Sequence, residues 1–296
     1  MMWTVGAHDY GKSEIRFFMV DRTKPVHDLR EVYASVNFKG NFSAAYSDGD
    51  NQEILPTGSM INTVLAMAAD YLGRPLEELA SFCAERFLES CPAVQVATII
   101  FTETAWERLE TEGTADPHGF AEAERANRTV TASAERHGST TVTAGIANLR
   151  LLKSTGSQFT GFHHGEFTNL ADVEDRLAAF VIDAAWEYDL GNDGKIDYDA
   201  CHAAAYTAIL KEFSRHRSLS GQHTCYALGT AALKAVSELR RVHIELLGED
   251  TPTVDLQPFG RENPGLLYTV AKNPHGVVHL TVDRTTDPDL RLRIVP

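Results

Sequence analysis

The sequence predicts an α+β fold in which antiparallel sheets carry paired helices on one face, and three observations predict it. Extended runs rich in β-branched and aromatic residues come in pairs, two amphipathic helical stretches stand between such pairs, and this order is written twice along 296 residues. That length, with 43% hydrophobic residues, exceeds the usual size of one domain and suffices for two cores. No strong residue identity links the halves, so the repeat rests on element order.

Ser13–Arg22 (SEIRFFMVDR) reads as the first strand, and Glu31–Tyr46 as a second extended region broken by the turn-like KGN at 39–41. A helix follows over Ser59–Leu72, with Met60, Thr63, Val64 and Met67 on one side and Gly73 closing it. Pro75 suits the first turn of a second helix, whose stripe is Leu76, Leu79, Phe82 and Phe87. Val94–Phe101 returns to strand. Residues 110–127 are polar and contain Gly113, Pro117 and Gly119, which predicts mostly loop, and Arg128–Glu135 and Thr140–Lys153 read as two further strands. After a polar excursion the second copy supplies a strand at Ala178–Tyr188 and helices near Tyr198–Phe213 and His223–Leu239. Strands at Val242–Leu247, Leu266–Val270 and Gly276–Val282 follow. Sheets with helices on one face leave the other face to be covered or wetted, and closing such sheets into an oligomeric barrel would hide their edges. An obligate oligomer is therefore expected.

The formal net charge of -14 argues against a nucleic-acid backbone as the main partner, since no basic run offers counterion release. An anionic small ligand held by one or two arginines remains compatible with it. Cys83, Cys91, Cys201 and Cys225 form no CxxC and no metal-ligand spacing, which predicts four reduced, mostly buried thiols. The start, MMWTVGAHDYGKSEIRFF, lacks a basic region followed by an apolar core, and RLRIVP at the end is no peroxisomal address. No stretch approaches the about twenty apolar residues of a membrane span. The expectation is a soluble cytoplasmic protein without a membrane partner.

Several side chains are candidates for chemistry. Thr57 stands between Pro56 and Gly58 just before the first helical pattern, and Gln222 holds a similar place before the last. Backbone N–H groups exposed at such helix starts can hold an oxygen or an anion, although Thr57 or Ser59 serves equally well as a helix cap by position alone. Gly11 permits a tight bend that would point Lys12 inward. A lysine in a dry pocket becomes a base, and one within reach of Thr57 would draw a proton through the hydroxyl; on composition alone Lys12 is equally an ordinary surface lysine. Phe159, among glycines, suits stacking on a planar ring, and Arg176 suits clamping its edge as a two-pronged donor. The Gln222 amide offers both a donor and an acceptor. Taken singly, Phe159 also reads as core and Arg176 as a partner of Glu174 or another carboxylate.

Other patterns are weaker. In DLGNDGKIDYDA (189–200) Gly191 occupies a calcium-ligand position and Ala200 stands where the bidentate glutamate belongs. His163, His164 and Glu166 adjoin without metal-ligand spacing. No GxGxxG, Walker, flavin or haem signature is present.

Five segments, in order, resemble the urate oxidase (uricase) family over nearly the whole chain. They are YGKSEIR at Tyr10–Arg16, AYSDGDNQEILPTGSMINT at Ala45–Thr63, LKSTGSQFTGF at Leu152–Phe162, the Asp175–Arg176 pair, and GQHTCYALG from Gly221. The resemblance implies two tandem tunnelling-fold (T-fold) domains, 1–137 and 138–296, and a homotetramer with active sites at subunit interfaces. Thr57 would then come from the neighbour of the chain supplying Phe159, Arg176 and Gln222. It implies oxidation of urate by dioxygen to 5-hydroxyisourate and hydrogen peroxide without metal or organic cofactor. Lys12 and Thr57 resemble the family's catalytic pair, Phe159 its stacking ring, and Arg176 and Gln222 its clamp.

Departures accompany the matches. The family's aspartate after the threonine is Gly58 here, its lysine three residues later is Ile61, and its valine beside the glutamine is Gly221, which would make room for a larger or shifted ligand. The family's asparagine and histidine, two residues apart before a DL pair, align with Gly248 and Asp250 in LLGEDTPTVDL. Glycine supplies no donor for dioxygen or water; Asp250 would accept a proton or orient water, and its charge would repel a urate dianion unless paired or protonated. An oxidase of urate or a closely related heterocycle is the expectation. A non-oxidative hydration or ring-opening enzyme and an inactive purine-binding protein remain as alternatives.

Overall fold

The computed structural model describes residues 3–189 and 195–285 and divides into two compact units, Met1–Gly145 and Ile146–Pro296. In the first, β1 (Tyr10–Asp21) and β2 (Asp28–Gly40) form an antiparallel pair, and α1 (Ser43–Ser47), α2 (Thr57–Asp70) and α3 (Leu76–Ser90) follow. β3 (Val94–Thr104), β4 (Trp106–Thr111), β5 (Thr114–Glu122) and β6 (Asn127–Glu135) complete it, with sheet order β1-β2-β3-β6. β7 (Thr141–Lys153) begins in the first unit and runs into the second. There β8 (Ala178–Tyr188), α4 (Tyr198–Arg215), α5 (Gly221–Ala235), β9 (Leu239–Asp250) and β10 (Ala271–Asp283) give the order β7-β8-β9-β10.

The helices form where the apolar period is helical, and each buries one stripe. Met60, Val64 and Ala68 of α2 are buried, as are Leu76, Leu79, Ala80, Cys83, Ala84 and Phe87 of α3. α3 packs on β3 and β6, α2 on β1, and in the second unit α5 packs on β9 and β10 with α4 beside it. Alternation does the same for strands: Val32, Ala34, Val36 and Phe38 of β2 are buried every second residue. None of the four cysteines forms a disulfide among the described residues. Burial pushes the Cys83 thiol up to about 12 and the Cys225 thiol up to about 11, so both stay protonated and act as small apolar side chains.

Four expectations are corrected. Residues 110–127 are not mostly loop: β4 and β5 pair across 106–122, and the Arg108 guanidinium pins the hairpin by donating to the backbone oxygens of His27, Asp116 and Pro117. Polar composition misled there because a two-stranded ribbon has no buried face to advertise itself. The extended reading up to Tyr46 ends at Gly40, and Ser43–Ser47 forms a short helix over which Phe42 is buried. Leu266–Val270 is no strand; Tyr268 makes only an isolated bridge with Thr253. Pro75 caps α3 rather than entering its first turn, which suits a residue whose own N–H is missing. The calcium-like stretch lies partly outside the described residues, and its Asp197 caps α4 by accepting from Ala200 N at 3.0 Å.

Candidate active site

Lys12 and Thr57 both lie in the first unit. Gly11 makes no bend: it pairs with Asn37 within β1, and a Cβ there would fall 1.9 Å from Val36 O, so only glycine allows this close approach of the two strands. Just beyond Lys12 the register shifts, because Ser13 and Glu14 stand against the single Ser35, with Glu14 at φ 57. Such a bulge re-aims side chains, and it separates Lys12 from the regular alternation that follows. Tyr10 and Lys12 stand two apart on β1, the strand against which α2 packs. The Tyr10 hydroxyl accepts from Leu55 N at 2.9 Å and donates to Leu55 O at 3.4 Å, which ties the start of β1 to the segment leading into α2. Burial, foremost, raises the Tyr10 phenol above its usual value.

Thr57 is the first residue of α2, and neither it nor Ser59 caps the helix. Pro56 occupies the cap with no side-chain hydrogen bond, and its carbonyl takes Ser59 N at 2.8 Å and Met60 N at 3.3 Å. The Thr57 hydroxyl is therefore not consumed by capping. Around Gly58 the space a Cβ would occupy is open. Lys12, Thr57 and Gly58 are all exposed within this chain, so the dry pocket expected around Lys12 is not formed by its own unit.

The second unit gathers Phe159, Arg176, Gln222, Gly221 and Asp250. Asp175 anchors the loop between β7 and β8 by accepting from Thr155 Oγ1 at 2.5 Å, Gly156 N at 2.7 Å and Ser157 N at 3.2 Å. The Thr155 hydroxyl foremost holds the Asp175 carboxyl below the usual carboxylate range; desolvation opposes it, and the N–H groups of Ser157, Gly156 and Arg176 add to the lowering. Gly156, at φ +75, makes the turn that lets these donors converge. Phe159 and Val173 exchange both backbone hydrogen bonds, at 2.8 and 2.9 Å, and Arg176 N donates to Ser157 O at 2.7 Å. The loop thus carries its ring and its cation on one short ladder.

The product is a stack. The Arg176 guanidinium lies 5.3 Å from the centroid of Phe159, which lies 4.8 Å from Phe162 at an interplanar angle of 9°. Arg176 Nε is buried and has no hydrogen-bond partner among the described residues. Burial weakens the guanidinium's hold on its proton, and the Asp250 charge opposes that effect; Glu174, by contrast, offers its backbone oxygen to Arg217. The ladder reaches α5 through Ser218, whose N donates to Gly156 O at 2.9 Å and whose O accepts from Gln158 N at 2.8 Å. Ser220 caps α5 by accepting from His223 N, which sets Gly221 and the exposed Gln222 in the first turn. The helix starts two residues earlier than periodicity suggested because this cap lies outside the apolar pattern.

A Cβ on Gly221 would lie 3.4 Å from Val278 Cγ2 and 3.6 Å from Leu246 Cδ2, ordinary contact. The room at Gly221 therefore opens onto side chains of β9 and β10. Sequence reasoning missed the Tyr10 tether and Phe162; the aromatic three residues after Phe159 was the available signal. His164 stacks on Phe162 at 4.8 Å and lies 4.0 Å from Asp172, while no group of three or more metal-ligating side chains converges among the described residues.

The uricase family model matches residues 8–133 and 142–284. The uricase of Arthrobacter globiformis is 32% identical over 281 residues, covering 95% of this chain and 90% of that protein, and the Dictyostelium discoideum uricase is 28% identical over 287 residues, covering 96% and 99%. The crystal structure of the Arthrobacter globiformis uricase superposes with a TM-score of 0.87 at 29% identity over 98% of this chain and 100% of that one. The urate oxidase of Bacillus sp. TB-90, at 22% identity and a TM-score of 0.82 over 94% and 100%, shares the fold. With the α+β architecture of paired helices on antiparallel sheets matching those structures, the chain belongs to the uricase family.

Proposed function

We propose that the protein is a cofactor-independent oxidase of urate or a closely related purine-like heterocycle, using dioxygen and giving a hydroxylated product and hydrogen peroxide. The observation that carries this reading is the Phe159–Arg176 stack with its buried, unpartnered Nε, beside a helix start that presents Gln222. A flat ring takes the Phe159 face that Phe162 covers, with Phe162 turning aside, Arg176 supplies two parallel donors to its carbonyl edge, and the Gln222 amide reads the neighbouring donor and acceptor. A substrate that is itself electron-rich reacts with dioxygen through its own ring, so the protein's work is positioning, proton removal and charge stabilisation.

In this reading Lys12 and Thr57 remove the proton: the hydroxyl passes it to the lysine amine, Lys12 lying on β1 and Thr57 at the start of α2, which packs against that strand. Gly58 contributes its backbone N–H. Gly248 and Asp250 stand where the family's asparagine and histidine are expected, with Asp250 as proton acceptor or water-orienting group. The chains assemble as a homotetramer whose sheets close into a barrel, and each site joins Thr57 of one subunit to Phe159, Arg176 and Gln222 of its neighbour. Exposure of Lys12 and Thr57 in the single chain supports that arrangement, because only a partner would dry them. Four cysteines without a disulfide among the described residues accord with a cytoplasmic location, and no helix among those residues is long and apolar enough to cross a membrane.

The test is purified protein with urate in air, following loss of urate absorbance, oxygen consumption and peroxide together. Equimolar change in all three is expected. Binding without oxygen consumption would replace the oxidase with the hydration or silent-binding alternatives.

A further inference from the structure

Arg176 shares its neighbourhood with a carboxylate. Ala179 of β8 pairs with Glu249 of β9, and Thr251 Oγ1 donates to Leu177 O at 3.0 Å, so Asp250 is held between two residues fastened to the start of β8. Arg176 lies just ahead of that start. Its Nε nevertheless remains buried without a hydrogen-bond partner among the described residues, so the carboxylate does not saturate the guanidinium. Gly248, on the same side of β9, adds no side chain beside Asp250, and a Cβ there would meet only Gly276 O, at 3.7 Å.

We propose that Asp250 sets the charge of the ring this site accepts: a neutral heterocycle presenting a carbonyl to Arg176 and a ring N–H to Asp250, in preference to an anion of the same shape. The inference rests on the reading of Phe159 and Arg176 as the ring clamp. A guanidinium and a carboxylate together sum to no net charge, so an anion loses to Asp250 much of what it gains from Arg176. A neutral O=C–N–H edge offers one acceptor and one donor and satisfies both groups. The anion that dioxygen requires is then made after binding, as the ring N–H proton passes through the Thr57 hydroxyl to the Lys12 amine.

The experiment is equilibrium binding of xanthine and of urate to the full chain without oxygen, at a pH where xanthine is neutral and urate anionic. Wild type, Asp250→Asn and Asp250→Glu are compared. Tighter binding of xanthine than of urate is expected for wild type, a shift of the ratio toward urate of about tenfold for Asp250→Asn, as befits removal of one like charge nearby, and a wild-type ratio for Asp250→Glu. A wild-type preference for urate, or a ratio unmoved in Asp250→Asn, overturns the charge assignment and leaves the ring site standing. Failure of both ligands to bind wild type overturns the ring site, and this inference with it.

Discussion

Each half of the candidate site turns on residues whose neighbours leave them chemically available. Thr57 is relieved of capping by the Pro56 carbonyl, and Arg176 keeps a buried Nε without a partner. Lys12→Met should leave assembly intact and lower turnover by about a hundredfold or more, since a thioether accepts no proton at this step. Steady-state rates beside sedimentation of the same sample check it, and wild-type turnover would remove Lys12 from the mechanism. Arg176→Ala should weaken ligand binding by about 2 kcal/mol or more, because a polar ring edge is then buried unpaired. Calorimetry measures that loss directly. Both side chains were legible from their segments, but their availability was not: it depends on Pro56 and Asp175, whose backbone and side-chain bonds are matters of geometry.

Two elements hold these residues in place. The loop before β8 depends on the Asp175 carboxylate, whose proton affinity is depressed by Thr155 and three backbone N–H groups. A depressed carboxyl contributes stability that is complete above its unfolded-state value and is lost as pH falls through its folded-state value, so the loop should loosen only in acid. Asp175→Asn should therefore flatten the acid limb of ligand binding; an unchanged limb would assign that limb to another group. In the first unit the Nη2 of Arg128 of β6 donates to both carboxylate oxygens of the fully buried Glu77 of α3, at 2.9 and 2.8 Å. Glu77→Ala removes the carboxylate from a buried ion pair and should cost about 3–5 kcal/mol, read from denaturant unfolding. The helices and long strands were legible because burial imposes a period on sequence. The β4–β5 ribbon, exposed on most of its length, carries no such period and was read as loop.

At the scale of the whole molecule, two units repeat one order of strands and helices, and the proposed site draws on both kinds of half. If neighbouring subunits supply those halves, Lys12→Met and Arg176→Ala chains, each inactive alone, should recover part of the activity when unfolded together and reassembled. The mixed oligomers then contain some sites with both wild-type halves. No recovery in mixed oligomers confirmed by mass would place both halves of a site within one chain.

The long strands, the two helix pairs, the family and the segments that carry the candidates Lys12, Thr57, Phe159, Arg176 and Gln222 were written in the chain, because apolar period and short motifs are local properties. Tertiary structure alone decided that Gly11 serves close strand approach instead of a bend, that Tyr10 tethers the α2 start, and that Asp250, rather than Glu174, is the carboxylate whose charge acts on Arg176. Those facts join residues from distant parts of the chain, where strand register and backbone hydrogen bonds, not spacing, determine which charges and hydroxyls meet.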